Sequence, residues 1–199
     1  MKYGKLTFGQ VEAIVNKLGG MEGVKRLLSG ELTVGTVEQV FQIWKTIKLG
    51  ATGLKTAEDF RCALRDGNFR LSDWALDILA KPAFAVATEE TTVDLVRVNV
   101  AELGFKKGAR RDQIYDRARE LGLELCPAEV GPQLRLQHKD QPSGEWLVIG
   151  MEPITDSVGY LHVFNVARGD SGLWLIADCG HPAHVWDADN HWVFCRPRK

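Results

Sequence analysis

Apolar side chains recur at two different spacings along this chain. Between residues 11 and 18 they fall every three or four positions, which places them on one side of an α-helix. Thr7 and Gln10 form a T-x-x-Q pattern before this stripe, in which both side chains bond free backbone N–H groups at a helix start. Gly19 and Gly20 favour the left-handed backbone that ends a helix. The pattern predicts a helix that begins at Thr7 and ends before the glycines.

Apart from the segment 33–49, three further helices are predicted in the first half of the chain. A short one covers residues 21–28 and forms a helical hairpin with the first, at a spacing that also allows a helix-turn-helix. Thr56 is a suitable N-cap for a helix over 57–65, and Ser72 for a helix that stops before Pro82.

Residues 33–49 fit two structures. A second capping pattern at Thr36 and Gln39 favours a helix, whereas apolar and polar side chains alternate around Ile47 as in a strand. We predict a helix to about Trp44, followed by a short extended segment.

The spacing changes after a polar connector at 88–92. Alternating apolar residues predict a strand over 93–100, and a helix follows that ends at Gly122. Six more short strands are predicted, separated by Gly, Pro and Asp turns, at 123–126, 133–138, 145–151, 160–167, 172–177 and 191–195.

These elements predict an α+β protein in two parts. Residues 1–85 form a helical subdomain, and residues 92–199 form a β-rich domain in which a twisted antiparallel sheet packs with one main helix.

Composition narrows the function classes. The 25 basic and 26 acidic residues give a net charge of -1, so nucleic acid or anionic lipid could be attracted only by a local patch. The first residues lack the apolar core of a signal peptide, and no apolar run is long enough to span a membrane. Four widely spaced cysteines suit reduced thiols. We expect a cytoplasmic protein without membrane contact.

Two segments resemble known sequences. Residues 6–23 (LTFGQVEAIVNKLGGMEG) and 120–137 (ELGLELCPAEVGPQLRLQ) are similar to a group of short, uncharacterised bacterial proteins, and the likeness continues more weakly through 144–146 and 151–154. The resemblance implies a bacterial, cytosolic protein. The resemblance implies nothing about catalytic residues, a cofactor or the fold.

The densest group of metal-ligand residue types is a C-x-H-x-x-H pattern at Cys179, His181 and His184. Thiolate and imidazole are ligands that zinc takes, and three ligands with an open position would activate a water molecule. The spacing matches no standard zinc module. The alternative is a polar loop, because Gly180 and Pro182 are turn residues. We expect no cofactor, with zinc as the alternative.

A second candidate site is the basic loop Lys106, Lys107, Arg110 and Arg111. Together with the basic C-terminal tail, at Arg196, Arg198 and Lys199, these side chains would form a phosphate-binding patch. The alternative is a solvated loop and a separate tail.

The tryptophans concentrate after residue 130. Trp146, Trp174 and Trp192 lie in predicted strands, where alternate aromatics are usually core, while Trp186 lies in a loop and is expected to be exposed. The leading hypothesis is a non-enzymatic binding or regulatory protein that engages a protein partner through this C-terminal aromatic face. The alternatives are a nucleic-acid-binding accessory protein and a metal-dependent hydrolase, so catalytic activity stays open.

Overall fold

A computed structural model of the protein describes residues 7–32, 41–50 and 53–198. Its internal contacts divide the chain into two units, Met1–Gln39 and Val40–Lys199. This division falls earlier than the polar connector at 88–92, so the helices that follow residue 56 share a unit with the sheet.

The described part of the first unit, residues 7–32, contains two helices, α1 (Phe8–Lys17) and α2 (Met21–Leu28). The predicted capping box is confirmed: the Thr7 backbone N–H donates to Gln10 Oε1 at 2.8 Å, and the Gln10 N–H donates to Thr7 Oγ1 at 3.3 Å. The chain turns between the helices at two glycines with positive φ.

The second unit is built on a large mixed sheet. Its strands are β1 (Lys45–Leu49), β2 (Arg70–Leu71), β3 (Thr91–Asn99), β5 (Trp146–Ile149), β6 (Ile154–Thr155), β7 (Leu161–Gly169), β8 (Gly172–Cys179) and β10 (His191–Arg196). The order is β1-β3-β10-β5-β7-β8-β2, and β6 pairs with β7. Most pairs are antiparallel, while β5–β10 and β2–β8 are parallel. A small second sheet joins β4 (Ala109–Arg110) to β9 (Val185–Trp186).

Four helices accompany this sheet: α3 (Ala57–Asp66), α4 (Asp73–Leu79), α5 (Arg111–Glu120) and α6 (Val130–Gln137). The predicted caps are confirmed, because the Thr56 and Ser72 side chains accept backbone N–H groups at the starts of α3 and α4. Helices and strands occur in comparable amounts, so the predicted α+β class is confirmed.

The helices cover both faces of the sheet. On one face, the Phe164 ring meets Phe84 at 6.1 Å, and α6 approaches so closely that a Cβ on Gly131 would lie 2.6 Å from Phe164 Cβ. The next residue of β7, Asn165, points to the opposite face, which it shares with Trp192. There α5 covers the sheet, and its Tyr115 ring lies 5.6 Å from the Trp192 ring.

Three local predictions are wrong. The alternation of Leu134 and Leu136 with polar residues predicts a strand over 133–138, yet residues 133–137 belong to α6 and His138 is its C-cap. The Gln137 side chain of this helix bonds the edge of the sheet. Residues 123–126 make only isolated bridges, to Cys195 and Met151. The predicted helix to Trp44 does not reach that residue, because 41–44 are irregular and β1 begins directly afterwards; its earlier part lies outside the described residues.

Candidate functional site

The small β4–β9 sheet brings two predicted sites together. It pairs Ala109 with Trp186, and two further bonds extend the contact: Arg111 N–H donates to the His184 carbonyl at 2.9 Å and Asp112 N–H to the Pro182 carbonyl at 3.1 Å. The basic loop at 106–111 therefore lies against the histidine loop at 180–186. The sequence alone does not indicate that these loops meet. Their contact depends on two-residue strands, which are too short to show an alternation of apolar and polar side chains.

The arginines of the basic loop already have partners. Arg110 forms a two-point ion pair with Asp112, with its shorter contact at 2.6 Å. The Arg111 guanidinium lies 4.5 Å from the centre of the Tyr115 ring. The two lysines at the start of the loop are exposed. Only part of the loop's charge is thus available to a phosphate.

The C-terminal tail does not extend this basic loop. The basic loop comes shortly after Val100 in the chain. The Val100 N–H donates to the carbonyl of Asn190, the residue directly before β10, so the loop lies near the start of that strand. Arg196 is at the other end of β10, opposite Asp94, and Arg198 also pairs with Asp94, at 3.3 Å. The length of β10 therefore separates the loop from Arg196 and Arg198, while the last residue lies outside the described residues.

The structure does not arrange the three predicted zinc ligands, Cys179, His181 and His184, as a metal site. His181 Nδ1 accepts the Ala183 N–H at 3.2 Å, the His184 ring packs edge-on against Trp186 at 5.0 Å, and Cys179 ends β8. Within residues 7–32, 41–50 and 53–198, no group of three or more His, Cys, Asp or Glu side chains is arranged to hold a metal ion.

Trp186 is not exposed as expected. Only 8% of it is accessible, because the β4–β9 pair turns its ring onto the sheet, 5.0 Å from Trp192. Trp192 is completely buried, so the predicted aromatic face is largely interior. Trp146, by contrast, is 52% exposed at the start of β5.

Titratable side chains concentrate at one end of the β7–β8 pair, away from its hairpin turn. We call residues 161–163 and 178–180, with the side chains they contact, the β7–β8 end. Burial raises the pKa of Asp178 there, although Asn165 Nδ2 donates to its carboxylate at 2.7 Å. In the described part of the chain the buried Asn165 Oδ1 has no hydrogen-bond partner.

The opposite face of the same end carries a buried carboxylate–imidazole pair. Asp156 Oδ2 lies 3.0 Å from His162 Nε2, while Asp156 Oδ1 accepts the backbone N–H groups of Val158 at 2.9 Å and Tyr160 at 2.8 Å. Burial alone would raise the pKa of Asp156, but these hydrogen bonds outweigh it and lower the pKa. An Asp that bonds the backbone two and four residues later is a recognisable turn pattern, and it could have drawn attention to this site.

An exposed tryptophan covers this pair. The Trp74 ring of α4 lies 5.2 Å from the His162 ring at an interplanar angle of 30°. The turn after Asp156 is fixed to α4, because Ser157 donates to Asp77 through both its N–H and its hydroxyl, each at 2.7 Å. Sequence reasoning missed this contact because α4 and β7 are distant along the chain.

A cavity of about 470 Å³ lies elsewhere, beside β1 and α6. Its lining is mainly apolar, with Lys48 and Lys139 among the lining residues. Gln133 and Gln137, which also line it, bond each other, and Gln137 bonds the β1 backbone, so their polar atoms serve the fold.

No family model, no curated protein and no solved structure matches this chain. Among the described helices, none combines the length and the apolar character needed to cross a membrane. The side chains of the β7–β8 end are the basis for the function proposed below.

Proposed function

We propose that this chain is a non-enzymatic binding protein that engages a protein partner through an aromatic surface formed by Trp74, Val158 and Tyr160. The observation that carries the proposal is their exposure: 59% of Trp74, 76% of Val158 and 69% of Tyr160 is accessible. This surface takes the place of the aromatic face expected around Trp186, whose ring is buried.

Hydrogen bonds and a ring contact support the aromatic surface from beneath, which favours binding. Trp74 rests on His162, and the Asp156 hydrogen bonds hold the turn that carries the other two side chains. Large exposed aromatics are costly to leave in water and are frequent among the residues that dominate binding energy. Because the base is already ordered, a partner would lose little affinity to ordering it.

The partner we propose is a polypeptide segment with apolar side chains and a basic residue. Asp73 is exposed directly beside Trp74, whereas Asp77, one turn later, is neutralised by Lys81 at 2.9 Å. A Lys or Arg of the partner would meet the Asp73 carboxylate at the rim while its apolar side chains cover the indole.

Photo-crosslinking followed by a binding measurement tests the proposal. p-Benzoylphenylalanine placed at Tyr160 should crosslink one discrete protein in the native cells, while the same group at Trp146, which is also exposed, should not. The purified partner should then bind the Trp74→Ala variant at least about tenfold more weakly than the unaltered chain. Equal crosslinking from both positions, or unchanged affinity of a folded Trp74→Ala variant, would overturn the proposal.

We include a bacterial source and a cytoplasmic location in this proposal. The resemblance of residues 6–23 and 120–137 to bacterial proteins supports the first. The second is supported by the four cysteines, all of which are free thiols, since disulfides are rare in the cytosol.

A further inference from the structure

The cavity beside β1 and α6 is bounded on a third side by α3, which presents small residues to it. Ala63 lies on α3 and Gly67 is its C-cap, so the two are one turn apart on the same side of the helix. A Cβ on Gly67 would lie 2.5 Å from Phe69 Cε2, so the Phe69 ring occupies the place of a larger side chain there. Because residues 63 and 67 fill so little space, a gap of about 470 Å³ stays open between α3 and α6, which is a volume typical of small-molecule sites.

One buried amide in the wall of this cavity has a hydrogen-bond donor to spare. Gln137 Nε2 donates to the Lys48 carbonyl and to Gln133 Oε1, each at 2.9 Å, which uses both of its N–H groups. Gln133 Nε2 donates to Glu129 Oε1 at 3.0 Å, and among the described residues its second N–H has no acceptor. Gln133 lines the cavity and only 2% of it is accessible, so water reaches this amide poorly. A ligand with an acceptor oxygen would satisfy it.

Two lysines add positive charge at the mouth of the cavity. Lys48 and Lys139 line it and are both exposed. Lys48 Nζ lies 3.0 Å from Glu90 Oε1, but both side chains of this ion pair face solvent, so the pair is weak and a second anion can share the ammonium. Asp140, which follows Lys139 in the chain, is bonded to His138. Within the described part of the chain no acidic residue lines the cavity, so its charge is complementary to an anion.

We propose that this cavity binds a free fatty acid, with its hydrocarbon chain between α3 and α6 and its carboxylate at Lys139 and Lys48. The apolar lining residues Leu54, Phe69 and Leu136 would contact the chain. A methylene group takes up about as much space as a water molecule in the liquid, roughly 30 Å³, so about ten of them fit within the cavity with room for the carboxylate. The proposal does not depend on the partner binding proposed above, because none of the three residues of the aromatic surface lines the cavity.

The first test compares two ligands that differ in the charge of the head group. Decanoate, titrated into the full chain by calorimetry, should bind one molecule per chain with a dissociation constant of about 100 µM or lower. Decyltrimethylammonium has the same chain and a positive head, and it should bind at least about tenfold more weakly because it meets the lysines. Decanoate should also shift the methyl NMR signals of Leu54, Ala63 and Leu136. Equal affinity for both compounds, or methyl shifts confined to other residues, would overturn the proposal, as would attachment to phosphatidylglycerol vesicles without any binding of decanoate.

The second test alters the cavity itself. Ala63→Leu fills part of the space and should weaken decanoate binding at least about tenfold. Lys139→Glu should weaken it at least about threefold at 0.15 M salt, whereas Lys107→Glu, the same change of charge at an exposed residue outside the cavity, should have no effect because distant charges are screened. Unchanged affinity of a folded Ala63→Leu variant would place the ligand elsewhere and contradict the proposal. If that variant does not fold, the comparison of Lys139→Glu with Lys107→Glu decides, and equal affinities of those two variants would exclude the proposed site.

Discussion

Two groups of polar side chains in this protein are used in different ways. Along α6, Glu129, Gln133 and Gln137 lie four residues apart and bond one another in sequence. The outer two also bond the free edge of β1: Glu129 accepts the Gly50 N–H, and Gln137 bonds both the N–H and the carbonyl of Lys48. This ladder covers an edge strand that would otherwise offer its backbone to another chain.

At the β7–β8 end, by contrast, buried polar atoms are left without partners. His162 Nδ1 and Asn165 Oδ1 have none in the described ranges, and an exposed tryptophan lies over the histidine. Unpaired buried polar atoms cost stability. The α6 helix carries one as well, because Arg135 Nε has no partner among the described residues. The comparison teaches that the polar side chains of the α6 ladder are paired with one another and with β1, whereas the β7–β8 end holds two unpaired atoms, one of them beneath an exposed tryptophan.

The largest effect is expected from Arg135→Ala on α6. Arg135 is fully buried, and its guanidinium donates to Gln141 Oε1 at 2.5 Å, to the Ala167 carbonyl at 3.2 Å and to the His138 carbonyl. Burial lowers the pKa of Arg135 to about 10, with nearby Arg168 adding to the effect, so the side chain stays charged at neutral pH.

Truncation of Arg135 leaves these oxygens unpaired beside a cavity. We expect the free energy of unfolding to fall by about 3–5 kcal/mol, measured by urea denaturation. A loss below about 1 kcal/mol would break the comparison, because the α6 polar groups would then contribute little to the fold.

Gly131→Ala tests the packing of the same helix. The added Cβ would lie 2.6 Å from Phe164 Cβ, which neither α6 nor β7 can accommodate without moving. We expect a loss of about 1–3 kcal/mol in the free energy of unfolding. Gly169→Ala is the control, because its Cβ would meet nothing within 4 Å. Equal effects of the two substitutions would show that helix packing is not the cause.

The sequence predicts best the structure that depends on neighbouring residues. The caps at Thr7, Thr56 and Ser72 act within four residues, and each correctly marks a helix start. α6 was missed because its start, at Glu129, has no side-chain cap, and its alternating leucines match a strand. Nothing local distinguishes the two.

The candidate site depends on contacts that no local pattern contains. Asp156 and His162 are joined by the fold of one turn, but Trp74 reaches them only because α4 packs against the sheet. Trp186 was placed on the surface because it lies in a polar loop, whereas its burial follows from the pairing of β9 with β4. Sequence reasoning thus identified the segments and residue types, but not which side chains meet.

Gln137→Ala should have a smaller effect than either α6 substitution above. The substitution removes the hydrogen bonds from the Gln137 side chain to the backbone of Lys48. Because Lys48 is exposed, water can replace part of them. We expect a loss of about 1 kcal/mol. The uncovered edge of β1 should also raise the tendency to aggregate, measured by light scattering. Gln42→Ala, an exposed amide before β1, is the control, and an identical response of both variants would argue against the ladder as an edge cap.

The smallest effect is expected where Ser157 joins α4 to the turn that carries Val158 and Tyr160, through its hydrogen bonds to Asp77. Hydrogen bonds from the Ser157 hydroxyl and N–H, together with Lys81, lower the pKa of Asp77 to about 2. The unfolded chain has a carboxyl pKa of about 3.9, so this contribution to stability is complete above pH 4. It is lost as the pH falls from about 4 to 2, because the folded carboxylate then also takes up a proton.

Ser157→Ala should therefore lower the thermal midpoint at pH 5 and have little effect near pH 2. Val158→Ala changes the adjacent side chain of the same turn without touching Asp77, and its effect should be the same at both pH values. Because the hydrogen bonds between Ser157 and Asp77 orient the turn, Ser157→Ala should also weaken partner binding at pH 5. The hydrogen bonds of the α6 ladder should stay unchanged. An equally large effect of Ser157→Ala on the thermal midpoint at both pH values would show that the hydroxyl acts through packing alone. The hydrogen bond to the Asp77 carboxylate would then contribute nothing measurable to stability.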